Sequence, residues 1–219
     1  PSRASILTGK YSHINGVYNL PDALNPDSLN VAKILKNNGY QTSIIGKWHL
    51  KKEPNGFDYY KVLPGQGLYN DPYFKTKDNW QDGYKGGRKE LGFSADIIGD
   101  SSIEWLKNID GEKPFFLMTH FKATHEPFDY PERNKYLNKN IIYPEPNSLY
   151  EFEPSNSGRK HIGQVVENLT ERWVNDTKNN LGRYPGLPFS VDGLNKTEIR
   201  SKTYQKFIGD FIKSGAAID

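Results

Sequence analysis

The sequence predicts an α/β fold, in which helices pack on the faces of a β-sheet. Two observations favour this fold. A helix-like segment, a tight turn and a short apolar run follow one another at residues 28–45, and the same succession returns at residues 94–121. Alternation of this kind is typical of a sheet covered by helices. The chain has 219 residues, 35% of them hydrophobic, and is therefore long enough to bury a sizeable core.

In the first cycle, Ser28 is placed to cap a helix with apolar positions at Leu29, Ala32, Ile34 and Leu35. Gly39 suits the left-handed backbone conformation that often follows the end of a helix. The β-rich run 40–45 comes next and leads into the pentapeptide 46–50, Gly-Lys-Trp-His-Leu. This segment predicts a helix, a turn and a strand.

In the second cycle, a helix is predicted from Ser94, with apolar positions that continue to Ile109. The run 115–121, Phe-Phe-Leu-Met-Thr-His-Phe, is a candidate for a buried strand. Near the other end of the sequence, an amphipathic pattern over residues 203–219 predicts a further helix.

Two long segments, at about residues 51–93 and 126–195, are predicted to be loop insertions. The first is rich in Gly, Tyr, Asp and Lys, and the second is interrupted by prolines. Loops of such length in a compact domain are usually functional or partly disordered.

Composition excludes several classes of function. The net charge of +3, from 29 basic and 26 acidic residues, is too balanced to favour nucleic-acid binding. No apolar run approaches the roughly 20 residues of a membrane span. The absence of cysteine excludes disulfides and thiolate metal sites within these residues. The 14 Tyr, 11 Phe and 4 Trp suit a sugar-binding cleft, and they suit ordinary core packing equally well.

Chargeable side chains follow both predicted strands, and ligands of open α/β sheets bind beyond the carboxyl ends of strands. Lys47 and His49 follow the first strand, and an extended backbone would point both to one face. A cation beside an imidazole suits an anionic substrate group and proton transfer near neutral pH. A surface lysine and a hydrogen-bonded histidine at a strand end is the structural alternative.

Two histidines are associated with the second strand. His125 lies in the loop just past it, because Pro127 prevents a helix from continuing there, and it could face the same cleft as Lys47. His120 lies within the strand and is predicted to be structural. A three-histidine zinc site is a further possibility, but no His-x-x-x-His helix or suitably spaced carboxylate supports it.

The first residues carry a third chemical signal. Ser2 and Arg3 are followed by a helix-compatible segment, 4–9, so backbone N–H groups and a guanidinium would meet at a helix start. That combination predicts an anion site.

Taken in order, four segments resemble the type I sulfatases of the alkaline-phosphatase superfamily: PSRASILTGKYSHINGVY, GYQTSIIGKWHL, NGFDYY and KPFFLMTHFKATHEPF. The family signature is Cys or Ser, any residue, Pro-Ser-Arg and then Thr-Gly, and Pro1, Ser2, Arg3, Thr8 and Gly9 match its second part. Residues 46–50 match the second family motif, and His125 with Pro127 matches the third.

The resemblance implies an alkaline-phosphatase-like fold, with helices on both faces of a mixed, largely parallel sheet. Residues 1–219 would be part of a single N-terminal catalytic domain, and the sheet would be incomplete in this internal fragment. The resemblance also implies roles for four residues. Arg3 would bind the hydrated nucleophile, Lys47 a sulfate oxygen, and His49 would orient the hydrate. His125 would contact the sulfate and protonate the leaving alcohol.

The nucleophile implied by the resemblance is a formylglycine, made from Cys or Ser two residues before Pro1 by a formylglycine-generating or anaerobic maturation enzyme. A calcium ion is also implied, held by two pairs of ligands outside this chain, so no metal ligand is assigned within residues 1–219. The fragment by itself is expected to be inactive.

The implied reaction is hydrolysis of sulfate monoesters, and the aromatic and basic loops favour a sulfated polysaccharide or glycosaminoglycan as substrate. The resemblance further implies a periplasmic or secreted protein. Two alternatives stay open: a phosphodiesterase or phosphonate monoester hydrolase of the same superfamily, and a non-catalytic carbohydrate-binding relative.

Overall fold

The computed structural model describes residues 1–125, 128–138, 140–141, 144, 190, 192–195, 198 and 201–202. The chain divides into two compact units, residues 1–131 and residues 132–219. In the described part of the second unit, Glu132–Asn134 form a short 3-10 helix.

The first unit contains the elements that carry the site. Its helices are α1 (Ser2–Thr8), α2 (Ser12–Asn15), α3 (Val31–Asn37) and α4 (Ser94–Asn108). Its strands are β1 (Gln41–Lys47), β2 (Tyr59–Leu63), β3 (Tyr73–Phe74), β4 (Arg88–Lys89) and β5 (Phe115–His120), with a 3-10 helix at Lys77–Asp82 between β3 and β4.

The main sheet is parallel in the described residues, with strand order β2-β1-β5. Parallel pairing brings the carboxyl ends of the three strands to one edge: Lys47 pairs with Leu63, and Gly46 with His120. Both predicted cycles of helix and strand are therefore confirmed.

Helices cover both faces of this sheet. Adjacent side chains of a strand point to opposite faces, and in β1 the neighbours Ile44 and Ile45 are each fully buried in a different cluster. Ile44 shares its cluster with residues of α1 and α3, and Ile45 shares its cluster with Ile98 of α4. Burial of one such side chain contributes about 1.5–3 kcal/mol to folding, so both layers hold β1 in place.

The predicted start of α3 is wrong by two residues. Asn30, not Ser28, is the N-cap, and its side chain accepts a hydrogen bond from the Lys33 backbone N–H at 3.0 Å. The Asn30 amide also donates to the Asn55 carbonyl at 3.0 Å, which fixes the cap through a distant loop that local spacing does not reveal. Gly39 has φ of +85°, as predicted for the residue that follows this helix.

The prediction of a long loop over residues 51–93 is also wrong, because this segment contains β2, β3 and β4. The run Tyr-Tyr-Lys-Val-Leu of β2 pairs in register with β1, and Tyr60, Val62 and Leu63 are buried. Lys61 interrupts the apolar pattern, yet it forms an ion pair with Glu90 at 2.7 Å. That contact lets a lysine lie in a largely buried strand.

The predicted strand at 115–121 is confirmed as β5, which ends at His120. It is half-buried rather than buried, since it is the outer strand of the described sheet, and Phe115 is 49% exposed. Most of the predicted loop at 126–195 and the predicted helix at 203–219 lie outside the described residues. Among the helices that are described, none is both long and apolar enough to cross a membrane.

Candidate functional site

Polar side chains meet at the carboxyl edge of the main sheet. Lys47 is the last residue of β1 and His120 is the last residue of β5. The close approach of these strands depends on Gly46, because a Cβ built on it would lie 1.9 Å from the His120 carbonyl oxygen. Its φ of +104° is likewise a conformation that other residues rarely adopt. Glycine at position 46 therefore lets the two strand ends meet.

Helix α1 brings Arg3 to this edge. Ala4 and Leu7 anchor the helix in the core, and the half-buried Arg3 points toward the strand ends. Arg3 Nη1 lies 3.1 Å from the Lys47 carbonyl oxygen and 2.8 Å from His120 Nδ1. One guanidinium thus ties α1 to both β1 and β5.

The contact with Arg3 determines the tautomer of His120. A guanidinium can only donate, so the Nδ1 atom that faces it must be unprotonated. His120 Nδ1 therefore accepts from Arg3 rather than donating to the Lys47 carbonyl at 3.1 Å, and the ring proton lies on Nε2. Burial and the positive charge of Arg3 lower the pKa of His120, which favours this neutral ring.

Lys47 is an almost buried cation among other cations. The residue is 6% exposed, and Nζ donates to Gln66 Oε1 at 2.5 Å. Burial, followed by the charges of Lys122 and Arg3, lowers the pKa of Lys47 to about 8. We call Arg3, Lys47 and Lys122 the cation cluster. Their mutual repulsion favours an anion as the ligand of this edge.

His49 belongs to the same site, although by a different backbone path from the one predicted. The predicted extended backbone is wrong beyond Lys47, since β1 ends there and His49 has a left-handed φ of +56°. Trp48 and Leu50 are both buried in the core, and His49 between them is half-buried. Burial and the nearby positive charges of Lys47 and Arg3 lower the pKa of His49, so this residue lies close to the cation cluster.

His125 is connected to the cluster through Tyr69. The Tyr69 hydroxyl donates to the His125 carbonyl oxygen at 2.5 Å, and Lys122 Nζ lies 4.9 Å from the centre of the Tyr69 ring. The structure thus brings Arg3, Lys47 and His49 together, and it holds the backbone of His125 beside them.

Three residues near the cluster were not predicted to serve the site. His120 was predicted to be structural, yet its ring contacts Arg3. Lys122 follows β5 by two residues, so its place after a strand end was a usable signal. Gln66 lies just after β2, which the sequence did not predict, and so no signal pointed to it.

The donors at this edge suit an anion rather than a metal ion. Within the described part of the chain, no group of three or more His, Cys, Asp or Glu side chains is arranged to hold a metal. Calcium requires oxygen ligands, mainly carboxylates, and the side chains gathered here are mostly cationic. The described residues therefore do not form a calcium site.

Comparison with known proteins identifies relatives of this chain. The sulfatase family profile matches residues 1–147. An N-acetylglucosamine-6-O-sulfatase of Bacteroides thetaiotaomicron is 34% identical over 252 aligned positions, which cover 100% of this chain and 44% of that protein. An ulvan-active sulfatase of Formosa agariphila is 33% identical over 137 positions, 58% of this chain and 26% of that protein.

A solved structure extends the likeness to three dimensions. It is described as a complex of a protein with its substrate, D-glucosamine-2-N,6-O-disulfate, and it is 33% identical to this chain with a TM-score of 0.65. The match covers 98% of this chain and 44% of the other. The alkaline-phosphatase-like α/β fold is thereby confirmed, and the chain spans less than half the length of these relatives.

Proposed function

Because the chain belongs to the sulfatase family, we propose that the protein containing it hydrolyses sulfate monoesters of carbohydrates. The observation that carries the proposal is the cation cluster. Three cations, two of them almost buried, converge at the carboxyl edge of a parallel sheet beside two histidines. A sulfate group would offset their repulsion, and no described carboxylate is paired with Lys47.

We propose the 6-O-sulfate of glucosamine or N-acetylglucosamine as the substrate group. Two observations support this choice: the identity with an N-acetylglucosamine-6-O-sulfatase, and the likeness to a structure that holds a 6-O-sulfated glucosamine as its substrate. The wider class, sulfated glycans, is also supported by the likeness to an ulvan-active sulfatase.

The chain's own residues have separate tasks in this proposal. Lys47 binds a sulfate oxygen as a charged donor, and Lys122 adds positive charge beside it. Arg3, which is always protonated, stabilises negative charge that develops in the transition state. His49 and His125 bind or move a proton near the leaving oxygen, a task suited to imidazole near neutral pH.

A formylglycine nucleophile and a calcium ion are part of the proposal as the family resemblance implies them, with a maturation enzyme as partner and a periplasmic or secreted location. The described residues supply neither the nucleophile nor the calcium ligands. The steps assigned here are therefore limited to anion binding, charge stabilisation and proton transfer by this chain.

The test is sulfate release by the protein encoded in the longest reading frame that contains this chain. We expect release from N-acetylglucosamine 6-sulfate to exceed release from the 3-sulfate and from an aryl sulfate. Hydrolysis of aryl sulfates alone would overturn the sugar substrate. Faster hydrolysis of a matched phosphodiester would instead favour the phosphodiesterase alternative.

A further inference from the structure

We propose that Gln66 is a positioning residue, which holds the ammonium groups of the cation cluster in the arrangement that binds the sulfate. This inference rests on the function proposed above. The geometry points to Gln66 because two lysines from different elements use it as their hydrogen-bond acceptor, Lys47 at the end of β1 and Lys122 just after β5.

The hydrogen bond from Lys47 fixes the orientation of the Gln66 side-chain amide. Lys47 Nζ has only N–H donors, so the amide atom 2.5 Å from it must be the oxygen Oε1. The Gln66 backbone carbonyl accepts from Lys122 Nζ at 3.3 Å. A single residue therefore fixes both ammonium groups, and it does so without adding a negative charge that would compete with sulfate.

The backbone around Gln66 is constrained by its neighbours. Gly65 and Gly67 both have left-handed φ values, +57° and +70°, and the Gly67 N–H donates to the Pro64 carbonyl at 3.1 Å. A Cβ on Gly67 would lie 2.8 Å from Leu63 Cδ1, so the turn packs against the end of β2. This turn directs Gln66 toward the carboxyl edge of the sheet.

Further along the same segment, Tyr69 strengthens the arrangement. Its ring lies under Lys122, and its hydroxyl binds the His125 carbonyl oxygen. The segment from Pro64 to Tyr69 thus contacts Lys47, Lys122 and His125. The Gln66 side chain is itself exposed, so its loss removes little packing and leaves the fold intact.

The experiment uses the protein from the longest reading frame that contains this chain, with Gln66→Met, Gln66→Glu and the control Gln81→Met. Met keeps the length of the side chain and removes the acceptor, whereas Glu keeps an acceptor and adds a charge. Gln81 is an exposed glutamine in the 3-10 helix, and it has no hydrogen bond to either lysine among those found in the described residues. Two readouts are followed: the pH profile of kcat/KM on N-acetylglucosamine 6-sulfate, and the affinity for inorganic sulfate.

We expect both Gln66 variants to lose roughly tenfold or more in sulfate affinity, because Met frees the ammonium and Glu competes for it. The alkaline limb of the pH profile should move to lower pH in Gln66→Met and to higher pH in Gln66→Glu, since a carboxylate stabilises charged Lys47. Arg3 and Lys122, whose charges lower the pKa of Lys47, and the neighbouring His49 are themselves unchanged in every variant, so the added carboxylate of Gln66→Glu is the one new charge beside Lys47. Gln81→Met should match the wild type.

A wild-type affinity for sulfate and an unmoved alkaline limb in both Gln66 variants would overturn the inference. Equal losses in the two variants at every pH, with no opposed shifts, would also overturn it, because they would indicate general damage. A wild-type protein that releases no sulfate from any ester would contradict the proposed function. The sulfate affinities of the variants would still decide whether Gln66 positions the cations.

Discussion

At the scale of single residues, the central feature is an ammonium group that its surroundings destabilise. Burial, Lys122 and Arg3 lower the pKa of Lys47 from an ordinary 10.5 to about 8. Between those values the unfolded chain binds more protons, so the contribution of Lys47 to stability rises with pH in the absence of an anion. A bound sulfate opposes this trend, because it stabilises the charged form of Lys47.

We therefore expect the affinity for inorganic sulfate to fall as the pH rises through about 8, the pKa of Lys47. Titration calorimetry between pH 7 and 9.5 measures the effect. In Lys47→Met the affinity for sulfate should be weak at both pH 7 and pH 9.5, and its decrease with rising pH should disappear. An affinity that is constant over the range would show that Lys47 does not bind the anion.

A second prediction concerns His120. Its neutral ring accepts from Arg3, and its lowered pKa means that the unfolded state takes up a proton first as the pH falls. The free energy of unfolding should begin to decrease as the pH falls through about 6.5, the ordinary pKa of histidine in the unfolded chain. It should continue to decrease until the pH is below the pKa of His120 in the folded protein. His120→Asn keeps an acceptor that does not titrate, and so it should lose part of this acid sensitivity.

Urea unfolding of wild type and His120→Asn at pH 7 and pH 5 tests that expectation. Since His49 has a lowered pKa as well, only the difference between the two proteins reports on His120. An identical decrease in both proteins would contradict the lowered pKa of His120.

The sequence predicted which residues lie at this site better than it predicted how they are arranged. Arg3, Lys47 and His49 were identified from residue type and from their positions before a helix or after a strand, both of which are local signals. The role of His120 depends on a contact with Arg3, 117 positions away in the chain, and that of Gln66 on a contact with Lys47, 19 positions away. Such pairings follow from the strand register, which local patterns do not determine.

At the scale of elements, the approach of β1 and β5 is the feature on which the site depends. Gly46→Ala should destabilise the protein by about 1–3 kcal/mol or more, because its Cβ would overlap the His120 carbonyl of a strand that cannot yield easily. Gly99→Ala is the matched control. Gly99 lies within α4 with no atom within 4 Å of a new Cβ, and alanine there should stabilise by about 0.5–1 kcal/mol.

Chemical denaturation measures the free energy of unfolding of Gly46→Ala and of Gly99→Ala. Equal effects of the two substitutions would contradict the close approach of β1 and β5.

Local patterns also decide which elements could be predicted from the sequence. Helix α4 and strand β5 have clear apolar patterns, and β1 was predicted from a β-rich run that follows a helix and a turn. Strand β2 instead carries Lys61, whose partner Glu90 lies 29 residues away.

At the scale of the whole molecule, the 219-residue chain exposes many large apolar side chains. Ile6, Tyr11, Ile14 and Leu20, from α1, α2 and the segment that follows them, are each at least 60% exposed. Exposed apolar groups and outer strands such as β5 favour association. We expect the isolated chain to self-associate in light scattering at micromolar concentration. A monomer that unfolds cooperatively would contradict this expectation.

The proposed sulfate site is tested most directly by the rate of sulfate release from N-acetylglucosamine 6-sulfate. The rate is measured for the protein that contains this chain, for Lys47→Met and for Lys107→Met, a control at an exposed lysine. We predict measurable release by the wild type and the control, and a loss of roughly 10²- to 10³-fold in kcat/KM in Lys47→Met. Unchanged activity in Lys47→Met, or no sulfate release by the wild type, would contradict the sulfate site proposed at the carboxyl edge of the sheet.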